Sequence, residues 1–482
     1  MRSRDSILGL ITGSLVLSMV ALATGIVRGK VSASFLGADG VGLVSQLTAL
    51  SVLGTTIALA GISTAATVVI GRAHGRADAE EVRTLTAYVI RRPVLVSIAF
   101  CAVVLPFSSP IASALLGSPS HSFKLAVAIA SIPFNVFSAC VNVVLIATQR
   151  AKRSIAANVI SLALGTGSTI SAVAYFGLPG AVASVLLTSV ISTAVVTWRE
   201  RNWVATVIAS GHRPSDASRR EFVVLGLASF ALALASSVLD SGQRAILIHE
   251  LGLKQAGLFQ AISMASGQGF AALVNGVMLY LSPTLAALVA ASSARALPEW
   301  RRALDITVSL VAALSLVCII SAPVALRVLF SDEFSDAAPA LRWQAGAEVL
   351  RASAFVIGAI LLPLGARVAW LSIGLGTVGI QAALSWLLIP EIGLEALPTA
   401  FAVGFAFNLV VSLGWAYHRG WRINVVSLNL VLVVAVALML GSWPLGETVR
   451  ILPLGIATIA TALLAWRGFR RRERGYDVVA TN

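Results

Sequence analysis

The sequence predicts an all-α polytopic membrane protein, on the basis of its composition, its apolar segments and the positions of its basic residues. Of 482 residues, 57% are hydrophobic and 12% are charged, and the mean hydropathy is +0.90. A soluble domain carries about 25% charged residues. Apolar segments of about twenty residues, the helix length that crosses a bilayer core, recur along the chain. Segments such as LVLSMVALATGIV lack the period-two alternation of barrel strands, so helices are predicted.

Fourteen transmembrane helices are predicted, and this even number places both ends of the chain on one side of the membrane. Lys and Arg are retained in cytoplasmic loops, and most of the 35 basic residues fall on the side of the N terminus. Both termini are therefore predicted to be cytoplasmic. The net charge of +14 is distributed over loops and not over one folded domain, so no nucleic-acid partner is expected. The predicted helices begin near residues 7, 42, 92, 124, 155, 179, 222, 256, 304, 340, 369, 396, 424 and 451.

An internal repeat divides the predicted helices into two sets of six. A shift of 215 residues sets FLGADGVGLVSQ, from Phe35, over ELGLKQAGLFQA, from Glu250, and aligns Gly37 with Gly252 and Gly42 with Gly257. Two parallel repeats around a central cavity are typical of transporters that work by alternating access. The predicted parts are an N-lobe at 1–197, a basic cytoplasmic linker at 198–221, a C-lobe at 222–420, and helices 13 and 14 with a basic cytoplasmic tail at 421–482.

Four ionisable residues fall at membrane depth, where each costs free energy and marks a candidate functional position. Arg28 and Lys30 lie in helix 1, and Asp240 and Arg244 lie in helix 7. Asp240 and Arg244 are four residues apart and can pair along one helix face. The repeat shift sets Arg244 over Gly29, so both halves present cations at a similar depth. Two structural alternatives stay open: Lys30 can extend its side chain to the interface, and Arg244 can serve only as an ion-pair partner.

A further charged pair begins helix 10. Glu348 and Arg351 are three residues apart and so share a helix face, which makes them candidates for the cavity wall. The glutamines Gln46, Gln260 and Gln344 are candidate polar lining residues, because their amides can bond hydroxyl groups.

Motifs for catalysis, nucleotide binding and metal binding are absent from the sequence. It contains neither a GxxxxGK[ST] phosphate loop nor a His-Glu-x-x-His pair. The three cysteines, Cys101, Cys140 and Cys318, have no metal-ligand spacing. We therefore expect no cofactor, no metal site and no catalytic residue. Short outer loops also argue against a membrane glycan polymerase or ligase, although that enzyme class remains an alternative.

Four segments carry a resemblance to a known family: GKVSASFLGADGVGLVSQ, AGLFQAISMASG, YLSPTLAAL and FSDEFSDAAPALRWQAGAEVLRASAFVIG. They resemble the Wzx-type flippases, the O-antigen and enterobacterial-common-antigen translocases of the multidrug/oligosaccharidyl-lipid/polysaccharide exporter superfamily. The resemblance implies a bacterial inner-membrane protein that moves an undecaprenyl-diphosphate-linked oligosaccharide from the cytoplasmic to the periplasmic leaflet. It also implies membrane lipids and other components of a polysaccharide assembly system as partners.

The resemblance extends to individual residues. It sets Lys30 on the basic position of helix 1 and Arg244 on an arginine of helix 7, whereas Arg28 and Asp240 have no counterpart. Gln344 and Glu348 match a WQxxGx[DE] pattern, with Gly346 one residue early. Helices 13 and 14 extend beyond the twelve-helix members. Within the same superfamily, a cation-coupled multidrug exporter is the alternative, but its cationic substrates would be repelled by a basic cavity.

Overall fold

The computed structural model describes residues 2–204, 215–291, 293–421, 433–434, 436–438, 440 and 452–466. Every regular element in these ranges is an α-helix or a short 3-10 helix. The chain forms two compact units, Met1–Gly257 and Leu258–Asn482. An all-helical chain is what the sequence predicts.

The first unit contains eight helices whose bounds lie in the described part of the chain. Asp78 begins the third of them by accepting a hydrogen bond from the Glu81 amide at 2.9 Å, as an N-cap residue does. The eighth begins at Ser215, whose hydroxyl accepts from Ser218 N. The helices are α1 (Arg2–Leu59), α2 (Ile62–Gly75), α3 (Ala79–Val104), α4 (Ser108–Leu116), α5 (Ser122–Ala130), α6 (Ile132–Ala147), α7 (Ala151–Arg199) and α8 (Asp216–Leu251).

Two helices of the first unit contain a glycine break. Gly37 interrupts α1 with φ 64° and ψ −173°, and Gly177 interrupts α7 with φ 57° and ψ −134°. Both conformations are accessible almost only to glycine. At 1.5 Å per residue, the 49 residues of α7 have roughly twice the length that one crossing requires. The breaks therefore divide α1 into predicted spans 1 and 2, and α7 into predicted spans 5 and 6.

The second unit begins within α9 (Leu253–Ala291) and is built around a continuous apolar core. Trp300 is 1% exposed, and its indole N–H donates to the Val356 carbonyl at 2.9 Å. The ring also meets Trp421 edge to face, with ring centroids 5.7 Å apart. The helices that follow α9 are α10 (Ser293–Leu329), α11 (Ala338–Gly358), α12 (Arg367–Ile392), α13 (Ala396–His418) and α14 (Leu452–Trp466).

Seven helical stretches in the described ranges are long and apolar enough to cross a membrane. Three of them, Met19–Leu59, Ala151–Arg199 and Arg367–His418, are long enough for two crossings. The third span is predicted to begin near 92, whereas α3 begins at Ala79. Its first turns carry acidic and basic residues, which a hydropathy pattern assigns to a loop. The predicted thirteenth span, near 424, falls largely outside the described residues, and the lobe boundaries stay a prediction.

Basic residues gather at one end of the first unit. Arg72 pairs with Glu221, and Arg153 Nη1 lies 3.3 Å from the Glu200 carboxylate. Gly71 faces the last carbonyl of α6, which connects the start of this basic region to the turn before α7. Three segments that the sequence assigns to the cytoplasmic side therefore converge on one end of this unit.

Candidate functional site

The first candidate cluster is an ion pair on α8. Arg244 pairs with the Asp240 carboxylate one helical turn earlier, and its Nη1 donates to the Asp240 backbone carbonyl at 3.2 Å. The Arg244 side chain is 7% exposed, whereas that of Asp240 is 51% exposed. The predicted pairing along one helix face is confirmed. The cation is thus held inside the protein, with its carboxylate partner at the surface.

Gln46 fixes the helix turn that carries this ion pair. The residue is fully buried, and its Nε2 donates to the carbonyls of Ser241 and Leu115, both at 3.2 Å. The bond to Ser241, one residue after Asp240, connects α1 to α8, and the bond to Leu115 connects α1 to α4. In this conformation Gln46 connects helices, and its predicted contact with sugar hydroxyl groups stays a prediction.

Arg28 and Lys30 lie on α1, less than three turns before its break at Gly37. Both side chains are exposed, in contrast to the buried Arg244. Exposure on a membrane helix is compatible with a cavity contact and with extension to the interface. The two readings of Lys30 that the sequence leaves open therefore both remain.

The second candidate cluster lies in the second unit, on α11. Arg351 Nη2 is 2.6 Å from the Glu348 carboxylate, and Gln344 Nε2 donates to Glu348 Oε1 at 3.3 Å. The guanidinium also lies over the Phe401 ring of α13, 5.9 Å from its centroid. The side chains of Glu348 and Arg351 are 2% and 15% exposed. Their predicted common face is confirmed, and Gln260 is half-buried on α9.

A polar cluster between α6 and α7 was not predicted. Asn142 Oδ1 accepts from Ser154 Oγ at 2.7 Å and from Asn158 Nδ2 at 3.2 Å, while its Nδ2 donates to the Ser138 carbonyl at 3.0 Å. Ser138 Oγ in turn lies 2.8 Å from Ser192 Oγ. Asn142 and Ser138 are four apart, and this spacing of polar residues in an apolar helix is a sequence signal for such a cluster.

Two buried carboxylates also escaped the sequence prediction. Asp305 on α10 is 0% exposed, and Glu200, just after α7, is 5% exposed. Asp305 follows the predicted start of a span at 304 by one residue, which was the available signal. Both lie beside basic segments, so the sequence alone suggests ordinary loop charges.

Each unit therefore contains an arginine held by a carboxylate on the same helix face. A guanidinium can bind phosphate oxygens through two parallel hydrogen bonds, and a neighbouring carboxylate competes with that binding. Among the residues with described positions, no group of three or more His, Cys, Asp or Glu side chains is arranged to hold a metal ion.

Comparison with known proteins identifies similar transporters. The model of the MatE family matches residues 10–169, and no curated protein matches the sequence. An inward-facing multidrug resistance MATE family transporter of the MOP superfamily is 16% identical, with 84% of this chain and 94% of that chain covered and a TM-score of 0.68. The lipid II flippase MurJ, in an inward closed conformation, is 11% identical, with 96% and 99% covered and a TM-score of 0.70.

A third similar structure is a MOP superfamily transporter from Pyrococcus furiosus, whose reverse polarity of the binding pocket suggests a different function. It is 18% identical, with 86% of this chain and 95% of that chain covered and a TM-score of 0.61. At these identities the comparisons establish a fold and not a substrate. The fold of this multi-pass membrane protein is that of the MATE and MurJ-like transporters.

Proposed function

We propose that this protein, which has the fold of the MATE transporters and of the lipid II flippase MurJ, translocates an undecaprenyl-diphosphate-linked oligosaccharide by alternating access. The glycan is an O-antigen repeat unit or that of a related surface polysaccharide. It moves from the cytoplasmic to the periplasmic leaflet of the bacterial inner membrane, and both termini of the chain are cytoplasmic. The observation that carries the proposal is the guanidinium of Arg244, held by Asp240 on a membrane helix.

A cation at this depth answers the main physical problem of such a substrate. Transfer of a diphosphate and its sugars into hydrocarbon removes their hydration at high free-energy cost. Arg244 and Lys30 replace that hydration with charge-assisted hydrogen bonds, while the polyprenyl chain stays in lipid. Arg28, Glu348 and Arg351 are further candidates for the cavity wall.

Two features support a flippase over a drug exporter. The cations at membrane depth favour an anionic substrate, since they would repel a cationic drug. The similarity to the lipid II flippase covers 96% of this chain, whereas that to the MATE transporter covers 84%. A fold of the flippase kind therefore accounts for more of this chain.

The test is replacement of the two cations in a strain whose own gene is deleted. Lys30→Ala and Arg244→Ala should each reduce surface glycan about tenfold or more, because each removes a charged hydrogen bond to the diphosphate. The lipid-linked intermediate should accumulate in the inner leaflet. Lys30→Arg keeps the charge and should retain most of the transport. Arg244→Lys keeps the charge but loses the two parallel hydrogen bonds of the guanidinium, so it should retain only part of the transport.

Lys152→Ala is the matched control, because Lys152 is an exposed basic residue at the basic end of the first unit. It should leave surface glycan unchanged at equal protein level in the membrane. The proposal fails if both alanine variants, present at wild-type level, also give wild-type surface glycan. Single repeat units on the outer surface would instead point to a polymerase or ligase.

Multidrug export is the second candidate, favoured by the match of residues 10–169 to the MatE family. It predicts that loss of the gene increases susceptibility to several cationic drugs while surface glycan stays intact. A drug-susceptibility panel on the deletion strain distinguishes the two functions, since a flippase predicts the opposite pair of results.

A further inference from the structure

The two ends of α7 form an open groove at the basic end of the first unit. The break at Gly177 brings the first turn of α7 close to the segment that follows its last turn. The groove has a volume of about 530 Å³ and is lined by Arg153, Trp198, Arg199, Glu200 and Arg201. This volume is within the range of about 300–1,000 Å³ that is usual for small-molecule sites.

The charges in the groove favour an anion. Three arginines and one carboxylate line the groove, and that carboxylate is already paired, because Glu200 lies 3.3 Å from Arg153 Nη1. The Glu200 side chain is 4% exposed and that of Arg153 is 57% exposed. The buried Glu200 carboxylate therefore orients the Arg153 guanidinium, which is exposed at the open side of the groove. Arg199 and Arg201 are exposed as well.

An apolar stripe leads from this groove along the membrane part of α7. Trp198 is 67% exposed and Leu187 is 40% exposed, and Ala194 between them is exposed too. Positions 187, 191, 194 and 198 have the i, i+4, i+7, i+11 spacing of one helix face. Tryptophan at the end of such a face is typical of the membrane interface. A ligand with a phosphate group in the groove can thus lay an acyl chain on the stripe.

We propose that this groove binds the phosphate headgroup of an anionic membrane phospholipid. Arg199, Arg201 and the oriented Arg153 contact the phosphate, and Trp198 packs against the start of an acyl chain. The site lies within the first unit and does not depend on the identity of the transported substrate. It makes the protein dependent on the lipid composition of the leaflet that faces its basic end.

The test uses full-length protein purified in detergent and titrated with phosphatidylglycerol or with phosphatidylcholine of the same acyl chains. Bound lipid is counted by native mass spectrometry. Phosphatidylglycerol should bind preferentially to the wild-type protein, and Arg199→Gln combined with Arg201→Gln should weaken it about 30-fold. Trp198→Ala should weaken both lipids about equally, because it removes apolar contact and not charge.

The matched control is Arg150→Gln combined with Lys152→Gln, which removes two exposed basic residues that do not line the groove. This variant should bind phosphatidylglycerol within twofold of wild type. Equal losses in both double variants would overturn the site, as they would show only a general surface attraction. Displacement of the lipid by sodium pyrophosphate would indicate a soluble phosphate ligand. Preference for undecaprenyl diphosphate over phosphatidylglycerol would mark a substrate site. Both results would also refute the proposal.

Discussion

Gly42 lies against the backbone carbonyl of Leu253, and Gly257 lies against the backbone carbonyl of Ala38. A Cβ atom added at Gly42 would be 2.1 Å from the Leu253 oxygen, and one at Gly257 would be 1.9 Å from the Ala38 oxygen. Both pairs of partners are related by the same 215-residue shift, so the two repeats make reciprocal contacts at one helix crossing. Small residues of this kind allow helix backbones to approach closely in membranes. Residues that the 215-residue shift aligns in the sequence thus also make equivalent packing contacts.

Gly42→Ala and Gly257→Ala should each destabilise the protein strongly, by about 3 kcal/mol, because the added methyl group meets rigid backbone. The measurement is the unfolding free energy or the midpoint of thermal unfolding in detergent. Gly269→Ala on α9 is the control, since nothing lies within 4 Å of the added Cβ atom. Wild-type stability of both crossing variants would show that the helices separate without cost.

Two further glycines, 216 residues apart, share similar backbone angles. Gly177 has φ 57° and ψ −134°, and Gly393 has φ 63° and ψ −135°. Gly177→Ala should cost about 1–3 kcal/mol from backbone strain alone, because space is open around it. Gly167→Ala, equally open but inside the helix, should be neutral or slightly stabilising. Equal thermal midpoints for the two variants would contradict the strain argument.

The sequence predicted the fold well at positions where a single structural requirement determines the residue type. A turn with positive φ and a close helix crossing both require glycine, so Gly37, Gly42, Gly252 and Gly257 made the repeat visible. Helix-face spacing likewise predicted the Asp240–Arg244 ion pair and the common face of Glu348 and Arg351. The groove at the ends of α7 was not predictable, because the approach of Arg153 to its carboxylate partner depends on the reversal at the α7 break. The spacing of residues along the sequence does not show which distant residues come together after such a reversal.

Hydropathy also could not predict the residue at which a helix begins or the depth at which a charged side chain is buried. α3 begins thirteen residues before the predicted start, because its first turns are charged and an apolar pattern detects only the membrane part. Asp305 is wholly buried although its neighbours in the sequence are basic. Whether such a charge is in water or in protein depends on which helices cover it, and this is a tertiary property.

The Glu348–Arg351 pair predicts an asymmetry between single and double substitutions. Glu348→Ala should cost about 3–5 kcal/mol, because it leaves the mostly buried Arg351 without its carboxylate. Replacement of the pair by Glu348→Leu and Arg351→Met should restore most of the stability, as it removes both charges. The measurement is the thermal midpoint in detergent of the wild type, the single variant and the double variant. A single variant as stable as the double one would mean that the pair is not coupled.

The Asn142 cluster should contribute to the packing of α6 on α7. Asn142→Leu removes the acceptor for Ser154 and Asn158 and should cost about 1–2 kcal/mol, the usual range for hydrogen bonds between membrane helices. Ser168→Ala is the control, since Ser168 Oγ donates only within its own helix, to the Gly165 carbonyl at 2.9 Å, and little change is expected. The thermal midpoint measured in detergent should fall for the first variant and stay within error for the second.

Asp240 should limit how tightly the proposed substrate is held, and Asp240→Asn isolates this effect. The Asp240 side chain is 51% exposed, so solvent screens the pair and its contribution is at most about 1 kcal/mol. Loss of the carboxylate should therefore tighten binding of undecaprenyl diphosphate up to about fivefold, while the bond from Arg244 to the Asp240 backbone carbonyl still orients the guanidinium. Calorimetric titration of the purified protein in detergent measures this change.

Glu250→Gln is the control, because it removes another exposed carboxylate of α8 and should leave the affinity for undecaprenyl diphosphate unchanged. A similar gain in both variants would reduce the effect to general electrostatics, and weaker binding in Asp240→Asn would indicate that the pair itself builds the site.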